Sequence, residues 1–307
     1  MTPQATKSAN TIILSAAQTV AKESKAEALV VYADLCDSKE APSAGAGQSY
    51  KTILITQSPQ PAGKIRGKAR YTVHLPDVSL TRMGLVKMAT LMSFSQGVLL
   101  ASESFVFVTG VRGDHLDTIV LATVGKEYEL LQTVDQPVLT EHIRRAVFQK
   151  VLNLATSLAA EGREGRAIGA LFVLGDTAEV GKASQQLILN PFHGYSDDER
   201  QILHETMTET IKEYSSLDGA FIIRGNGVVV SAGTYLRPAV AGEDLPQGLG
   251  ARHAVAAAIT ASTKSIALTV SQSTGTVRIW RGGKLITEIE RAQRQPGSSL
   301  PGPKSES

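Results

Sequence analysis

A chain of 307 residues, 42% apolar and 20% charged, is long enough for two globular domains, each with its own core. A formal net charge of +2 brings no clustered basic surface of the kind a nucleic-acid backbone requires, and a lone cysteine, Cys36, excludes an intramolecular disulfide and fits a reducing cytoplasm. The N-terminus lacks a basic-then-apolar leader and apolar runs such as Val98-Leu99-Leu100 are too short to cross a bilayer, so the expected location is cytoplasmic, with neither membrane nor nucleic acid as a partner.

In chain order, residues 11–26 place Ile12, Ile13, Ala16, Ala17, Val20 and Ala21 on a helical stripe, and a short strand follows at 28–32. Residues 38–49, rich in Ala, Gly, Ser and Pro, read as a loop before a strand at 52–56. The next loop, 58–69, is basic, with Lys64, Arg66 and Lys68 inside it and Arg70 beside it, and reads as a solvated segment. A strand at 71–75, a helix at 82–96 and strands at 105–110 and 118–122 complete an α/β unit with a largely parallel sheet. Gly113-Asp114-His115-Leu116-Asp117 reads as a turn entering the last strand. No Gly-x-x-x-x-Gly-Lys-Ser/Thr run occurs, and the six histidines show no paired metal-ligand spacing.

Pro137 is expected to close this unit, and Thr140 to cap a helix over 140–160 that serves as a hinge, ended by Gly162 and Gly165. A strand at 167–174 turns out through Gly175-Asp176-Thr177, and Ser196-Asp197-Asp198-Glu199 is a capping box predicting a helix to residue 215. The rest reads as α+β: a hairpin of 221–223 and 228–230 around Asn226-Gly227, strands at 265–270, 276–280 and 284–289, and a disordered tail from Arg291.

Two runs carry chemistry. Asp218-Gly219-Ala220 puts a carboxylate ahead of an apolar strand, where it can hold a hard divalent cation. Residues 245–253 form a glycine-flexed loop entering a helix, whose N-terminus offers N–H groups and a positive dipole end to phosphate, with Arg252 and His253 in its first turn.

The runs Asp-Gly-Ala-Phe-Ile-Ile, Gly-Val-Val-Val-Ser-Ala-Gly, Leu-Pro-Gln-Gly-Leu-Gly-Ala-Arg-His and Thr-Val-Ser-Gln-Ser-Thr-Gly-Thr-Val, in this order over roughly residues 165–290, resemble the catalytic domain of diadenylate cyclases. Residues 186–195 further resemble the archaeal-type branch, and the N-terminal half resembles the C-terminal domain of pyruvate kinase. The resemblance implies condensation of two ATP into cyclic di-AMP, dependent on Mn2+ or Mg2+, by a homo-oligomer of at least two chains. It implies Asp218, Arg252 and His253 as catalytic residues, with Asp218 and His253 on the metal. It implies an ATP site at Gly219, Ala220, Leu236, Gly248, Leu249, Gly250, Arg252, Ser271 and Thr274, with Gly219 admitting close approach of the nucleotide. The domains expected are 1–136, the hinge helix 137–164, the cyclase domain 165–290 and the tail 291–307. The chain departs from the family's Gly-Thr-Arg-His-Arg at Ala251 and Ala254, and carries Gln272-Ser273 where two acidic residues commonly follow the serine. Arg224, Arg237 and Lys264 are candidates to replace the missing arginine's charge. Two other classes stay open: a catalytically silent sensor of ATP or cyclic di-AMP, and a small-molecule-binding regulatory protein centred on the N-terminal half.

Overall fold

The computed structural model describes residues 8–37, 40, 49–58, 69–126, 142–238 and 250–292, which build two sheets. The first has five strands, β1 (Ala28–Tyr32), β2 (Lys51–Thr56), β3 (Tyr71–His74), β4 (Ser104–Gly110) and β5 (Leu116–Thr123), in the order β3-β2-β1-β4-β5. The first four run parallel and β5 is antiparallel to β4, as the expected largely parallel sheet requires. Central β1 is apolar and buried at every position, since a parallel strand covered on both faces has no solvated side. Helix α1 (Ala9–Glu23) packs on β1, β4 and β5, its first turn capped by the Ser8 hydroxyl accepting from the Thr11 N–H at 3.2 Å. Helix α2 (Arg82–Ser95), capped by Thr81, packs on β3 and β4. Cys36 lies half-buried against this core, which pushes its thiol up to about 12 and makes it a packing residue.

The second sheet has seven strands: β6 (Ala170–Leu174), β7 (Ser184–Gln186), β8 (Ala220–Ile223), β9 (Val229–Leu236), β10 (Ile266–Val270), β11 (Val277–Arg281) and β12 (Lys284–Ile289). Their order is β12-β11-β10-β6-β8-β9-β7, and β6 with β8 is its parallel pair. Helices α3 (Arg145–Glu161) and α6 (Ala251–Ser262) cover its two faces. Strand alternation sorts the side chains between them: Phe172, Leu174, Phe221 and Ile223 join the larger core with α3, whereas Leu171, Val173, Ala220 and Ile222 join a smaller core with Ala256, Ala257 and Ile259 of α6. Two short elements were not foreseen, α4 (Thr177–Lys182) and the polar edge strand β7. Among the described residues no helix is long and apolar enough to cross a membrane.

Three expectations need correction. The helix expected as a hinge is a core element: Val147, Phe148, Val151, Leu152, Leu154 and Leu158 of α3 are buried, and the helix packs on β6, β10 and β11 while touching α2. It starts at Arg145 after Arg144, with no side-chain cap, while Pro137 and Thr140 lie outside the described residues. The capping box at 196–199 does form, Ser196 donating its N–H and hydroxyl to Glu199 Oε2 at 2.8 and 2.7 Å. Yet helix α5 (Thr206–Tyr214) begins only later, because the hairpin turn claims the intervening backbone: Val229 donates to the Arg200 carbonyl and Ile202 to that of Gly227, each at 2.9 Å. Those groups cannot also close helical turns.

The third correction concerns Arg291, expected in a disordered tail. Its guanidinium donates to the Ala159 and Ala160 carbonyls at 2.9 and 3.3 Å, so a cation closes the negative end of α3. Ala292 donates to Ser79 at 3.1 Å and Thr81 to Glu290 at 3.3 Å, which ties the end of β12 to the start of α2 and joins the two units. Residues 293–307 lie outside the described residues, as do the loop residues Lys64, Arg66 and Lys68.

Candidate active site

A cleft of about 800 Å3 opens between the start of β8, the end of β9, the first turn of α6 and the turn joining β10 to β11. Asp218, 34 residues before Arg252 in sequence, meets it here: Arg252 Nη2 donates to Asp218 Oδ1 at 3.1 Å. The carboxylate is 91% exposed, so it is free to exchange that partner for a ligand. Gly219 follows with φ +109°, and a Cβ on it would lie 2.6 Å from backbone atoms of Gly233 and Thr234. Its glycine is therefore demanded by the neighbouring strand as well as by any nucleotide, which revises the reason expected for it. Gly169 makes room for Arg252, since a Cβ there would come within 2.8 Å of Nη1.

Helix α6 starts after Gly250, which has no side chain to spend on the first-turn N–H groups. Ala251, Arg252 and His253 of that turn line the cleft, and Ala254 does not. Ser271 and Thr274 line the opposite side on a tight turn, in which Gly275 donates to the Ser271 carbonyl at 2.8 Å, with Gln272 and Ser273 beside them. Ala220, Leu236, Leu171 and Val255 supply an apolar wall. Gly248 and Leu249 lie outside the described residues.

His253 is buried, its ring edge-on to Trp280 with centroids 6.2 Å apart. Its Nε2 lies 3.1 Å from Nη1 of Arg278, and its Nδ1 is enclosed near the Gly250 carbonyl without a well-formed hydrogen bond among the described residues. Because a guanidinium only donates, Nε2 is the acceptor and the proton is assigned to Nδ1. Burial first, then the charges of Arg278 and Arg252, lower the imidazole to about 4. The residue is neutral at physiological pH. As a metal ligand it fits poorly, since one ring nitrogen is occupied by a cation and the other is enclosed. Asp218 fits better: a divalent ion of the Mg2+ or Mn2+ type is commonly held by one or two carboxylates together with substrate phosphates. Among the described residues no three His, Cys, Asp or Glu side chains gather into a metal cluster of their own.

The depressed value of His253 has a stability consequence. The unfolded chain takes up this proton near pH 6.5 and the folded chain only near about 4, so the stabilising difference is complete above 6.5 and is lost as pH falls toward 4. The unfolding free energy from pH 7 to 4 should fall more steeply for the wild type than for His253→Gln, by a difference of at most about 3 kcal/mol, as read by chemical denaturation. Parallel profiles would show that the imidazole titrates normally in the fold.

Arg278 was not anticipated, and the candidates offered for the motif's missing arginine do not line the cleft. Arg224 sits in the hairpin turn at the far end of β8 and pairs with Asp197 at 2.9 Å, Arg237 lies over the Tyr235 ring at 5.3 Å, and Lys264 follows the distal end of α6.

Residues 157–285, which hold every cleft residue named above, match the family described as DisA bacterial checkpoint controller nucleotide-binding, and residues 9–132 match that described as Probable sensor domain DacZ_P. The diadenylate cyclase of Haloferax volcanii is 35% identical over 201 residues, 64% of this chain and 72% of that protein. The chain belongs to the diadenylate cyclase family. The diadenylate cyclase of Methanocaldococcus jannaschii is 43% identical over 182 residues, 57% of this chain, so the chain spans about half, 55%, of that relative's length. A solved structure, described as a hypothetical membrane spanning protein from Bacillus cereus, aligns at a TM-score of 0.37 and 20% identity over 50% of this chain and 67% of that one, too weak a likeness to add to the family assignment. The residues that match the nucleotide-binding family include both Asp218 and Arg252.

Proposed function

We propose that the chain condenses two ATP into cyclic di-AMP and two pyrophosphates. The observation that carries this reading is the convergence of Asp218 and Arg252, 3.1 Å apart, on the rim of a nucleotide-sized cleft walled by apolar residues on one side and by Ser271 and Thr274 on the other. In each half-reaction the ribose O3′ of one ATP forms a bond to the α-phosphorus of the other, the bond from that phosphorus to pyrophosphate breaks, and the O3′ proton is released. Asp218 orients the hydroxyl and favours loss of its proton. Arg252 leaves the carboxylate to neutralise charge on the triphosphate, while Ser271 and Thr274 donate to phosphate oxygens. A divalent ion held by Asp218 and the triphosphate would supply further charge neutralisation at phosphorus. The apolar wall around Leu236 sets the adenine, and thereby the distance of the ribose from Asp218.

The described residues of one chain form one such cleft, and the product needs two nucleotides head to tail. A two-fold contact of two chains places each hydroxyl opposite the partner's α-phosphate by symmetry. The surface suits it: Leu187 and Tyr235, both about half exposed, line the cleft, and Leu189 beside them is 95% exposed. Helix α3 spends its apolar stripe inside the fold. The exposed apolar rim by β7 and β9 is the better candidate.

Purified protein with ATP and Mn2+ or Mg2+ should release pyrophosphate and cyclic di-AMP, and its specific activity should fall on dilution, with an apparent order in enzyme above one. Formation of ADP alone, or no turnover with either ion, would instead make the chain a silent nucleotide sensor. Constant specific activity from a monomer by light scattering would contradict the face-to-face site.

A further inference from the structure

Arg278 rises into the cleft from β11, where the strand's period of two puts it on the same face as Trp280 and opposite Val277 and Ile279 of the larger core. A permanent cation at such a core-facing position, with a side chain only 18% exposed, is costly to desolvate unless its donors are met. Two of them are. Glu288, its cross-strand partner on β12, accepts from Nε at 3.0 Å, and His253 Nε2 accepts from Nη1 at 3.1 Å. These contacts, from a strand on one side and a helix on the other, fix the plane of the guanidinium.

We propose that Arg278 is a binding residue for the polyphosphate of the nucleotide, and that Glu288 and His253 are positioning residues that aim it. The inference rests on the proposed function for the identity of that nucleotide as ATP. Arg278 shares the cleft with Arg252 and with the Ser271 and Thr274 hydroxyls, and its planar fork suits phosphate oxygens. The charge argument points the same way: a triphosphate carrying one divalent ion remains anionic, and Arg252 alone does not balance it. The role also explains why His253 is held neutral, because an imidazolium could not accept from the guanidinium and would push it away. The buried histidine thus acts through the arginine.

The test uses the full chain with Mg2+ and two calorimetric probes, α,β-methylene-ATP as a non-reacting triphosphate and adenosine as the same base and sugar without phosphate. Arg278→Met should weaken binding of the analogue by about ten- to a hundredfold and leave adenosine unchanged. Arg278→Lys, which keeps the charge and loses the fork, should fall between wild type and Arg278→Met. Glu288→Gln should weaken the analogue by a smaller factor, again without touching adenosine, and it decides the matter if Arg278→Met does not fold. An equal loss for both probes, or no loss for the analogue, overturns the proposal, since a merely structural arginine would disturb the whole cleft or nothing. If the wild type binds the analogue through Arg278 but forms no cyclic di-AMP, the proposed reaction fails and the phosphate role of Arg278 stands.

Discussion

Asp218→Asn should lower the rate of cyclic di-AMP formation by roughly a hundredfold or more while leaving the fold intact. The amide keeps the shape of the side chain and removes the charge that orients the hydroxyl and would hold a divalent ion. Stability should be untouched because the carboxylate is 91% exposed and its partner Arg252 is 34% exposed, so the pair contributes little to folding. Unchanged circular dichroism and melting temperature beside the lost turnover would confirm that split. A fall in melting temperature matching the fall in activity would make Asp218 structural instead.

Gly219→Ala should be the more disruptive change by stability. At φ +109° an L side chain is strained by about 1–3 kcal/mol, and the new methyl would sit 2.6 Å from the Gly233 carbonyl carbon and the Thr234 nitrogen. Both are backbone atoms of β9, the cross-strand partner of β8, so relief means moving a strand. The expected result is a drop in stability of about 2–5 kcal/mol together with loss of ATP binding, read by chemical denaturation and calorimetry. An alanine variant of wild-type stability would show that the β8–β9 approach is looser than the structure has it.

Much of this was legible in the chain because it is local. The Asn226-Gly227 turn announces the β8–β9 hairpin, and alternating helix and strand signals give the parallel sheet of the N-terminal unit. The pairing of Asp218 with Arg252 was legible only through the family's motif order, since no local rule joins residues 34 positions apart. What escaped is non-local in the same way. The stripe on α3 shows that one face is buried without showing against what, so a core helix reads as a hinge. Three polar residues, Ser184 to Gln186, carry no period from which an edge strand can be read. The capping box at Ser196 is a valid local signal overridden by backbone pairing with the hairpin turn. Arg278 did leave a trace: in the strand Val-Arg-Ile-Trp-Arg a cation shares a face with the tryptophan, and such a break in an inward-facing pattern marks a site or a buried ion pair.

The most direct measurement is the mass spectrum of the product formed from an equimolar mixture of unlabelled and fully 13C-labelled ATP with Mn2+. Condensation of two nucleotides from facing clefts should give cyclic di-AMP in light, mixed and heavy forms, with the mixed form the most abundant and pyrophosphate released in step. Nucleotide recovered only as ATP, ADP or AMP, with no mixed-mass dinucleotide, would contradict it.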